Sequence, residues 1–226
     1  VLKIFTSGTD TQPIRYRPYG SERVIIDGST APAESLVQIS GSYVEFRGFE
    51  VINARKTGIS LWGTHGTRII GNTITESYGG GIWIGHDTAG ASSDNVVEGN
   101  LVYRNGLMNE RRSMNGGWPA AIAVSLSDRT IIRSNTSFHN YGEGIGCLSS
   151  VGVQIASNVR YDNYSVLIYV ENWEDTIVSG NFAFIAGDVR FYRKDTPAVG
   201  IAVANEATAV LLPSTGIRVF HNIIVG

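Results

Sequence analysis

One short pattern returns six times along the chain, and it restricts the fold more than any other feature of the sequence. Each copy places an Asn between β-rich residues, as in RIIGNTI at 68–74 and IVSGNFA at 177–183. The six are Asn72, Asn100, Asn135, Asn158, Asn181 and Asn222. Their separations are 28, 35, 23, 23 and 41 residues, so the base period is 23 with insertions of 5, 12 and 18 residues. A fixed period of this length is typical of a solenoid.

A second element precedes each Asn and identifies the solenoid as an all-β one. It is a small residue followed by apolar and other residues in alternation, as in GISL at 58–61 and GIWI at 81–84. Strict alternation indicates short strands, and no segment shows extended helical spacing. The pattern predicts a parallel β-helix of about eight coils, with neighbouring coils about 4.8 Å apart and the equivalent Asn stacked as a ladder. A β-sandwich would give hairpins and no fixed return.

Two stretches of sequence carry a family resemblance. PIRYRPYGSERVIIDGS at 13–29 is similar to the first coil of many bacterial β-helix proteins, and the Asn-bearing coils extend from about 44 to 226. The chain resembles the right-handed parallel β-helix superfamily, which includes pectate lyases, chondroitinase B-like lyases, alginate epimerases, rhamnogalacturonases and phage tailspikes. The resemblance implies a right-handed solenoid. It does not choose a function, because one scaffold hosts many chemistries.

We expect residues 1–226 to form a single domain. The chain closes at Gly226 in mid-coil, which predicts either a fragment of a longer protein or end-to-end association through uncapped coils. The resemblance also implies an exported protein, outside the cell or at its surface.

Charge and apolar content exclude two classes of partner. The chain carries 18 Lys and Arg against 20 Asp and Glu, a net charge of −2. A general nucleic-acid binder would need a basic stripe. No apolar run reaches the roughly 18 residues that a membrane span needs. The single cysteine, Cys147, excludes an internal disulfide framework.

The alternation within the strands divides the residues between the inside and the outside of each coil. In GIWI, Ile82 and Ile84 point inward and Trp83 points outward. The outward column of this first sheet is predicted to be Val37, Ser60, Trp83, Ala123, Gly146, Tyr169 and Ala202. Aromatic faces stack on pyranose rings, so this face is predicted to be the floor of a saccharide groove.

Four loop insertions, at 86–93, 106–119, 186–199 and 206–214, are expected to form the two rims of this floor. The rim before the strands is basic, and the rim after them is acidic and rich in amides. The predicted substrate-binding residues are Trp83, Trp118, Tyr169, Arg111, Arg112 and Arg193. Because Arg grips carboxylate and sulfate groups, the predicted partner is an acidic polysaccharide.

Four residues are candidates for catalysis: Glu143, Asp162, His86 and Lys194. Glu143 and Asp162 suit the carboxylate pair of a glycosidase, although each also suits a structural turn. His86 with Asp87 suits a base and its orienting acid, and Lys194 suits the base of a lyase. A surface turn remains the alternative for His86.

Four residues on adjacent coils are candidates for binding Ca²⁺. Glu171, Asn172, Asn205 and Glu206 offer carboxylate and amide oxygens, the ligands that this ion prefers. The family resemblance implies the same, since chondroitinase B-like lyases hold Ca²⁺ with Asn and Glu and use Lys and Arg in catalysis. The alternative is that the Asn residues form corners and the Glu residues are solvated.

The sequence therefore predicts a carbohydrate-active β-helix that binds and cleaves an acidic polysaccharide. Elimination is favoured over hydrolysis because of the Arg-rich rim and the candidate Ca²⁺ site. The alternative is a non-catalytic carbohydrate-binding or structural segment of a surface protein. An enzyme should gather titratable groups in one cleft, whereas a structural segment should leave them scattered.

Overall fold

The computed structural model describes residues 1–206 and 213–226, apart from the side chain of Cys147. The first strands are β1 (Leu2–Ile4), β2 (Ile14–Tyr16), β3 (Val24–Asp27), β4 (Val37–Ile39), β5 (Val44–Arg47), β6 (Phe49–Ile52), β7 (Ile59–Trp62), β8 (Arg68–Ile70), β9 (Thr73–Thr75), β10 (Ile82–Gly85), β11 (Ser92–Ser93), β12 (Val96–Glu98) and β13 (Leu101–Tyr103). The later strands are β14 (Ile122–Ser125), β15 (Ser127–Asp128), β16 (Ile131–Arg133), β17 (Thr136–Phe138), β18 (Ile145–Leu148), β19 (Gln154–Ala156), β20 (Val159–Tyr161), β21 (Val166–Glu171), β22 (Ile177–Ser179), β23 (Phe182–Phe184), β24 (Val199–Ala204), β25 (Arg218–Phe220) and β26 (Ile223–Val225). Two short 3₁₀ helices cover Leu107–Asn109 and Val189–Phe191. Neither these nor any other helix in the described ranges is long and apolar enough to cross a membrane.

Each coil contributes one strand to each of three sheets of eight strands. The first sheet has the order β1-β4-β7-β10-β14-β18-β21-β24, the second β2-β5-β8-β12-β16-β19-β22-β25, and the third β3-β6-β9-β13-β17-β20-β23-β26. Strands β11 and β15 form a short pair at one corner. Neighbouring coils pair in parallel, as in Ile82 opposite Ile59 and Ile122. The predicted all-β solenoid of about eight coils is confirmed.

Inward residues of successive coils form continuous apolar columns. In the first sheet Ile59, Ile82 and Ile122 are paired in register, and all three are fully buried. One sequence assignment in this sheet was wrong. Val37 pairs with Ile59 and is fully buried, whereas Gln38 pairs with Ser60 and is the outward residue of that coil. Shifting the alternation by a single residue moves every side chain to the opposite face.

The predicted asparagine ladder stands at the corner between the second and third sheets. Each Nδ2 donates to the Oδ1 of the next Asn, over 3.1 Å from Asn72 to Asn100 and 2.9 Å from Asn100 to Asn135. The ladder continues through Asn158 and Asn181 to Asn222 at 3.0, 2.9 and 2.9 Å. These bonds satisfy buried polar groups that would otherwise be costly at each turn.

A second ladder, which the sequence analysis missed, stands at the corner between the third and first sheets. Asn105 donates to Asn140 over 3.1 Å, and Asn140 donates to Asn163 over 2.7 Å. This corner directly precedes the strands of the first sheet. It therefore holds in place the turns that carry the leading rim of the groove.

Two of the predicted insertions meet in space. Arg112, in the loop 106–119, donates through Nη1 to the carbonyl oxygens of Val189 (3.0 Å) and Tyr192 (3.4 Å) in the loop 186–199. The loops are inserted before β14 and β24, three rungs apart, and together they form one wall beside the first sheet. The insertion 86–93 lies at the opposite edge. Most of the insertion 206–214 lies outside the described residues.

Candidate functional site

A cleft of about 650 Å³ lies on the outer face of the first sheet, against the wall formed by the two loops. Its floor is made by Ala123 on β14, Gly146 on β18 and Tyr169 on β21. A Cβ atom at Gly146 would lie 3.4 Å from the Cβ atoms of Ala120 and Glu143. Because Gly146 has no side chain and Ala123 a small one, the floor is low at this point and high at Tyr169.

Glu143 stands at the leading edge of this floor, two residues before β18. The indole Nε1 of Trp118 donates a hydrogen bond to its Oε1. Burial raises the pKa of Glu143 to about 7, against the smaller lowering effects of its hydrogen bonds and of Arg193. A carboxyl group that is half protonated near neutral pH suits general acid or general base catalysis.

Two further glutamates line the cleft at the trailing edge of the sheet. Glu171 ends β21 and is only 8% exposed. Burial, and after it the charge of Glu206, raises its pKa to about 7. Glu206 accepts a hydrogen bond of 2.7 Å from the hydroxyl of Tyr169. Burial and this bond raise the pKa of Tyr169, so the phenol stays neutral.

The wall opposite these glutamates is held together by Trp118 and Arg193. The guanidinium carbon of Arg193 lies 4.6 Å from the centre of the Trp118 ring, and its Nη1 donates to Ser165 over 3.4 Å. The edge of Trp118 packs against Tyr164, with ring centres 5.2 Å apart. The indole that binds Glu143 is therefore fixed from several directions.

A family model described as "Right handed beta helix region" matches residues 36–215. The chain belongs to this right-handed β-helix family. The match covers every Asn of the internal corner ladder except Asn222, and it confirms the handedness that the resemblance implied.

Solved structures resemble this β-helix along most of its length. The pectate lyase Pel9A has a TM-score of 0.58 at 14% identity, covering 92% of this chain and 65% of its own. An alginate lyase from Paenibacillus sp. str. FPU-7 has a TM-score of 0.54 at 15% identity, covering 96% and 87%. The DFA-IIIase from Arthrobacter chlorophenolicus A6 has a TM-score of 0.55 at 12% identity, covering 99% and 72%. At these identities the likeness shows the fold alone. No curated protein sequence matches the chain.

The cleft of the β-helix brings together residues to which the sequence analysis gave three different roles. They are Glu143, Trp118, Tyr169, Arg193, Glu171 and Glu206. Lys194 lies next to the cleft, in an adjoining depression of about 360 Å³ that shares Arg193 and Ser165 with it.

Asp162 does not line the cleft with Glu143, so the structure does not bring the predicted carboxylate pair together there. Its carboxylate is buried and accepts backbone N–H groups of Ala186 (2.9 Å), Gly187 (3.3 Å) and Asp188 (3.1 Å). These bonds anchor the start of the loop 186–199. Asp162 is therefore a structural support of the wall, as its turn-capping alternative proposed.

His86 and Trp83 lie on the same face but toward the amino-terminal coils. The Nδ1 atom of His86 is 2.8 Å from Asp87 and 3.0 Å from the backbone nitrogen of Thr88. Its ring is tilted against Trp62, which is also stacked on Trp83 with ring centres 5.4 Å apart. Trp62 was missed by the sequence analysis, although it follows the alternating GISL directly and occupies an outward position.

The remaining predicted residues, Arg111, Arg112, Asn172 and Asn205, do not line the cleft. Arg111 is exposed, and Arg112 serves the contact between the wall loops. The Oδ1 of Asn172 accepts the backbone N–H of Glu206 (3.0 Å), and that of Asn205 accepts from Ser214 (2.6 Å). The two amides thus organise the trailing turn.

Two of the four candidate Ca²⁺ ligands are therefore already engaged through their amide oxygens. Among the side chains that the structure describes, no group of three or more His, Cys, Asp or Glu is placed to hold a metal ion. Calcium binding by Glu171, Asn172, Asn205 and Glu206 stays a prediction, and the reaction proposed below does not depend on it.

Proposed function

We propose that this β-helix binds a polysaccharide along the outer face of its first sheet and cleaves a glycosidic linkage over Gly146, with Glu143 transferring the proton. The observation that carries this proposal is the pair Glu143 and Glu171, two carboxyl groups in one cleft with pKa values raised to about 7. The likeness to proteins named as pectate and alginate lyases supports a carbohydrate substrate. An extracellular or cell-surface location belongs to the same proposal.

Hydrolysis needs one carboxylic acid to protonate the leaving oxygen and a second carboxylate to activate water or attack the sugar. Glu143 suits the acid, because burial keeps it partly protonated at neutral pH. Trp118 donates to its Oε1 and so holds the carboxyl group at the leading edge of the cleft. Glu171 suits the second role, and Glu206 is held beside it by Tyr169.

Hydrolysis is better supported than elimination by the residues of the cleft. The sequence had favoured elimination because the wall loops are rich in basic residues. Elimination requires a neutralised uronate carboxylate and a base beside it. Among the described residues that line the cleft, Arg193 is accompanied by three glutamates, and each of these repels an anionic sugar ring when it is ionised. Elimination remains the second candidate, because Arg193 and Lys194 together line the adjoining depression and provide two positive charges.

The convergence of titratable groups supports an enzyme over a purely structural segment. Glu171 is buried and Glu143 half-buried on this one outer face, and each costs folding free energy when it is ionised there. Substrate binding without cleavage stays the alternative, and the experiment must distinguish it from cleavage.

The experiment is an incubation of the chain with alginate, pectate, chondroitin and neutral xylan, with Ca²⁺ or with a chelator. Reducing ends and the ultraviolet absorbance of unsaturated products are measured in parallel. Hydrolysis predicts new reducing ends without absorbance, with a rate that is highest near pH 7, because it falls at higher pH as Glu143 loses its proton and at lower pH as Glu171 gains one. Glu143→Gln is expected to lower the rate at least about 100-fold, while Glu22→Gln, at an exposed position outside the cleft, is not.

Three other outcomes have clear meanings. Absorbance that rises with the reducing ends would establish elimination. A rise that the chelator removes would make the four predicted Ca²⁺ ligands the next residues to change. Binding to a polymer without any product would establish the non-catalytic alternative.

A further inference from the structure

A second depression, of about 380 Å³, lies on the same outer face toward the amino-terminal coils. Its floor includes Gln38 and Ser60, and its sides include Phe5, Lys56 and Trp62. The aromatic side chains are well exposed, Phe5 at 69% and Trp62 at 48%. None of these residues lines the cleft that contains Glu143.

Trp62 presents a rigid ring surface to this depression. One side of the indole is stacked on Trp83 of the next coil, with ring centres 5.4 Å apart and planes inclined by 23°. The partner of Trp62 in that coil is Gly85, where a Cβ atom would lie 3.0 Å from the Trp83 ring. The absence of a side chain at Gly85 lets Trp83 lie along the sheet beside Trp62, and Trp62 also lines the depression.

Polar groups of fixed orientation stand beside this ring. The Nε2 of Gln38 donates to Glu34 (2.7 Å) and to the carbonyl of Ser35 (3.0 Å). Lys3 is 3.2 Å from the Glu34 carboxylate and holds it in turn. An exposed ring bordered by oriented amide and hydroxyl groups suits a pyranose, whose C–H face stacks on the aromatic while its hydroxyls form hydrogen bonds.

The depression and the cleft lie on one line along the rod. Gln38, Ser60, Trp83, Ala123 and Gly146 are partners in the first sheet, each one coil beyond the last. At about 4.8 Å for each coil, Ser60 is about 14 Å from Gly146. One saccharide chain that runs along the rod can therefore reach both sites.

We propose that Trp62, Gln38 and Ser60 form a distal subsite for pyranose units of the same polysaccharide whose linkage is cleaved beside Glu143. The inference rests on the proposed function for the position of cleavage. Its consequence is that the β-helix selects long chains, because only these occupy both sites at once, and that it cleaves them internally.

The test compares Trp62→Ala with wild type on the polymer that is cleaved and on a di- or trisaccharide from it. Loss of one stacked ring predicts that the ratio of kcat/KM on the polymer to kcat/KM on the short substrate falls about tenfold, through KM. Trp62→Phe should retain most of the ratio. Tyr19→Ala, which removes a ring that is 87% exposed elsewhere, should not change it.

A second variant protects the test against a folding defect at Trp62. Ser60→Leu narrows the depression without removing or adding a ring, and it should lower the same ratio. Thermal unfolding of each variant checks that the fold is retained. If the ratio stays at the wild-type value both in Ser60→Leu and in a folded Trp62→Ala variant, the distal subsite is refuted.

Binding measurements separate this inference from the proposed function. Quenching of tryptophan fluorescence by alginate, pectate, chondroitin and xylan is measured for Glu143→Gln alone and combined with Ser60→Leu. Weaker binding in the double variant supports the subsite even if the wild type cleaves nothing. Equal binding in the two proteins, or no binding by either, overturns it.

Discussion

Glu143→Gln should make the protein more stable at alkaline pH, although it removes the proposed proton donor. In the unfolded chain the carboxyl group ionises at its ordinary pKa of 4.5, whereas burial raises the pKa to about 7 in the folded protein. Between these values the unfolded state releases a proton that the folded state keeps, so the free energy of unfolding falls as pH rises. The difference amounts to about 3 kcal/mol, since each pH unit between the two pKa values is worth about 1.36 kcal/mol.

Glutamine avoids this cost and still accepts the hydrogen bond from Trp118. Urea unfolding should therefore show the variant more stable than wild type by about 3 kcal/mol at about pH 8, and equally stable at about pH 4. Glu22→Gln, at an exposed position, serves as the matched control and should behave as wild type at both. A gain of equal size at both pH values would show that the proton is not its cause. No gain at about pH 8 would refute the burial of Glu143 described above.

Three further substitutions test the framework that supports the cleft. Asn135→Ala removes side-chain hydrogen bonds to the coils on both sides, and it should lower the free energy of unfolding, measured in urea, by about 2–4 kcal/mol. Asn222→Ala, on the outermost coil, should lower it by less. Equal losses in the two variants would contradict the role of the ladder. Arg160 lies inside the coil and is fully buried, and burial lowers its pKa to about 9. Arg160→Met should therefore leave the free energy of unfolding unchanged or raise it by about 1–3 kcal/mol. A loss of that size would show that the hydrogen bond from Arg160 to the Asn135 carbonyl outweighs the cost of burying the charge. Arg112→Ala separates the two wall loops and should raise KM severalfold, more than Arg111→Ala does at the exposed neighbouring position; equal effects would contradict the bridge.

The fold could be predicted from the sequence because its repeat is physical. Each 23-residue return places the same side chains one coil further along the rod, so Asn158 must stand beside Asn181 and Ile59 beside Ile82. The prediction was wrong at Val37, because Val37 lies 22 residues before its partner Ile59 and this early coil carries no Asn to set its register. There the alternation alone permits two assignments that differ by one residue.

The site was predictable only in part, because a column position and a turn position carry different information. Tyr169 is placed by the strand alternation, and the structure puts it on the floor. Glu143 and Asp162 both lie in turns, whose side chains can point along the sheet or back into the framework. The backbone N–H groups of residues 186–188 donate to the carboxylate of Asp162 and hold it away from the cleft. These residues belong to an insertion, whose path cannot be predicted from the repeat.

The second asparagine ladder and Trp62 are features that the repeat pattern did not identify. Asn105, Asn140 and Asn163 recur at 35 and 23 residues, the same intervals as Asn100, Asn135 and Asn158, but the insertion 106–119 directly follows Asn105, and only Asn140 and Asn163 share a following Tyr. Trp62 lies one position past the alternating segment by which each strand was recognised. Extending every strand by one residue would have found it.

The parallel register places the outward residues of the first sheet at a fixed spacing along the rod. Each coil adds one outward position at intervals of about 4.8 Å, and each coil without an insertion uses 23 residues to do so. Inserting one complete coil between Trp83 and Gly146 would move the Trp62–Trp83 pair about 4.8 Å further from Glu143. The contacts within the aromatic pair and within the cleft would stay intact. Chain-length preference in this architecture can therefore change in whole coils, independently of the chemistry at the cleft.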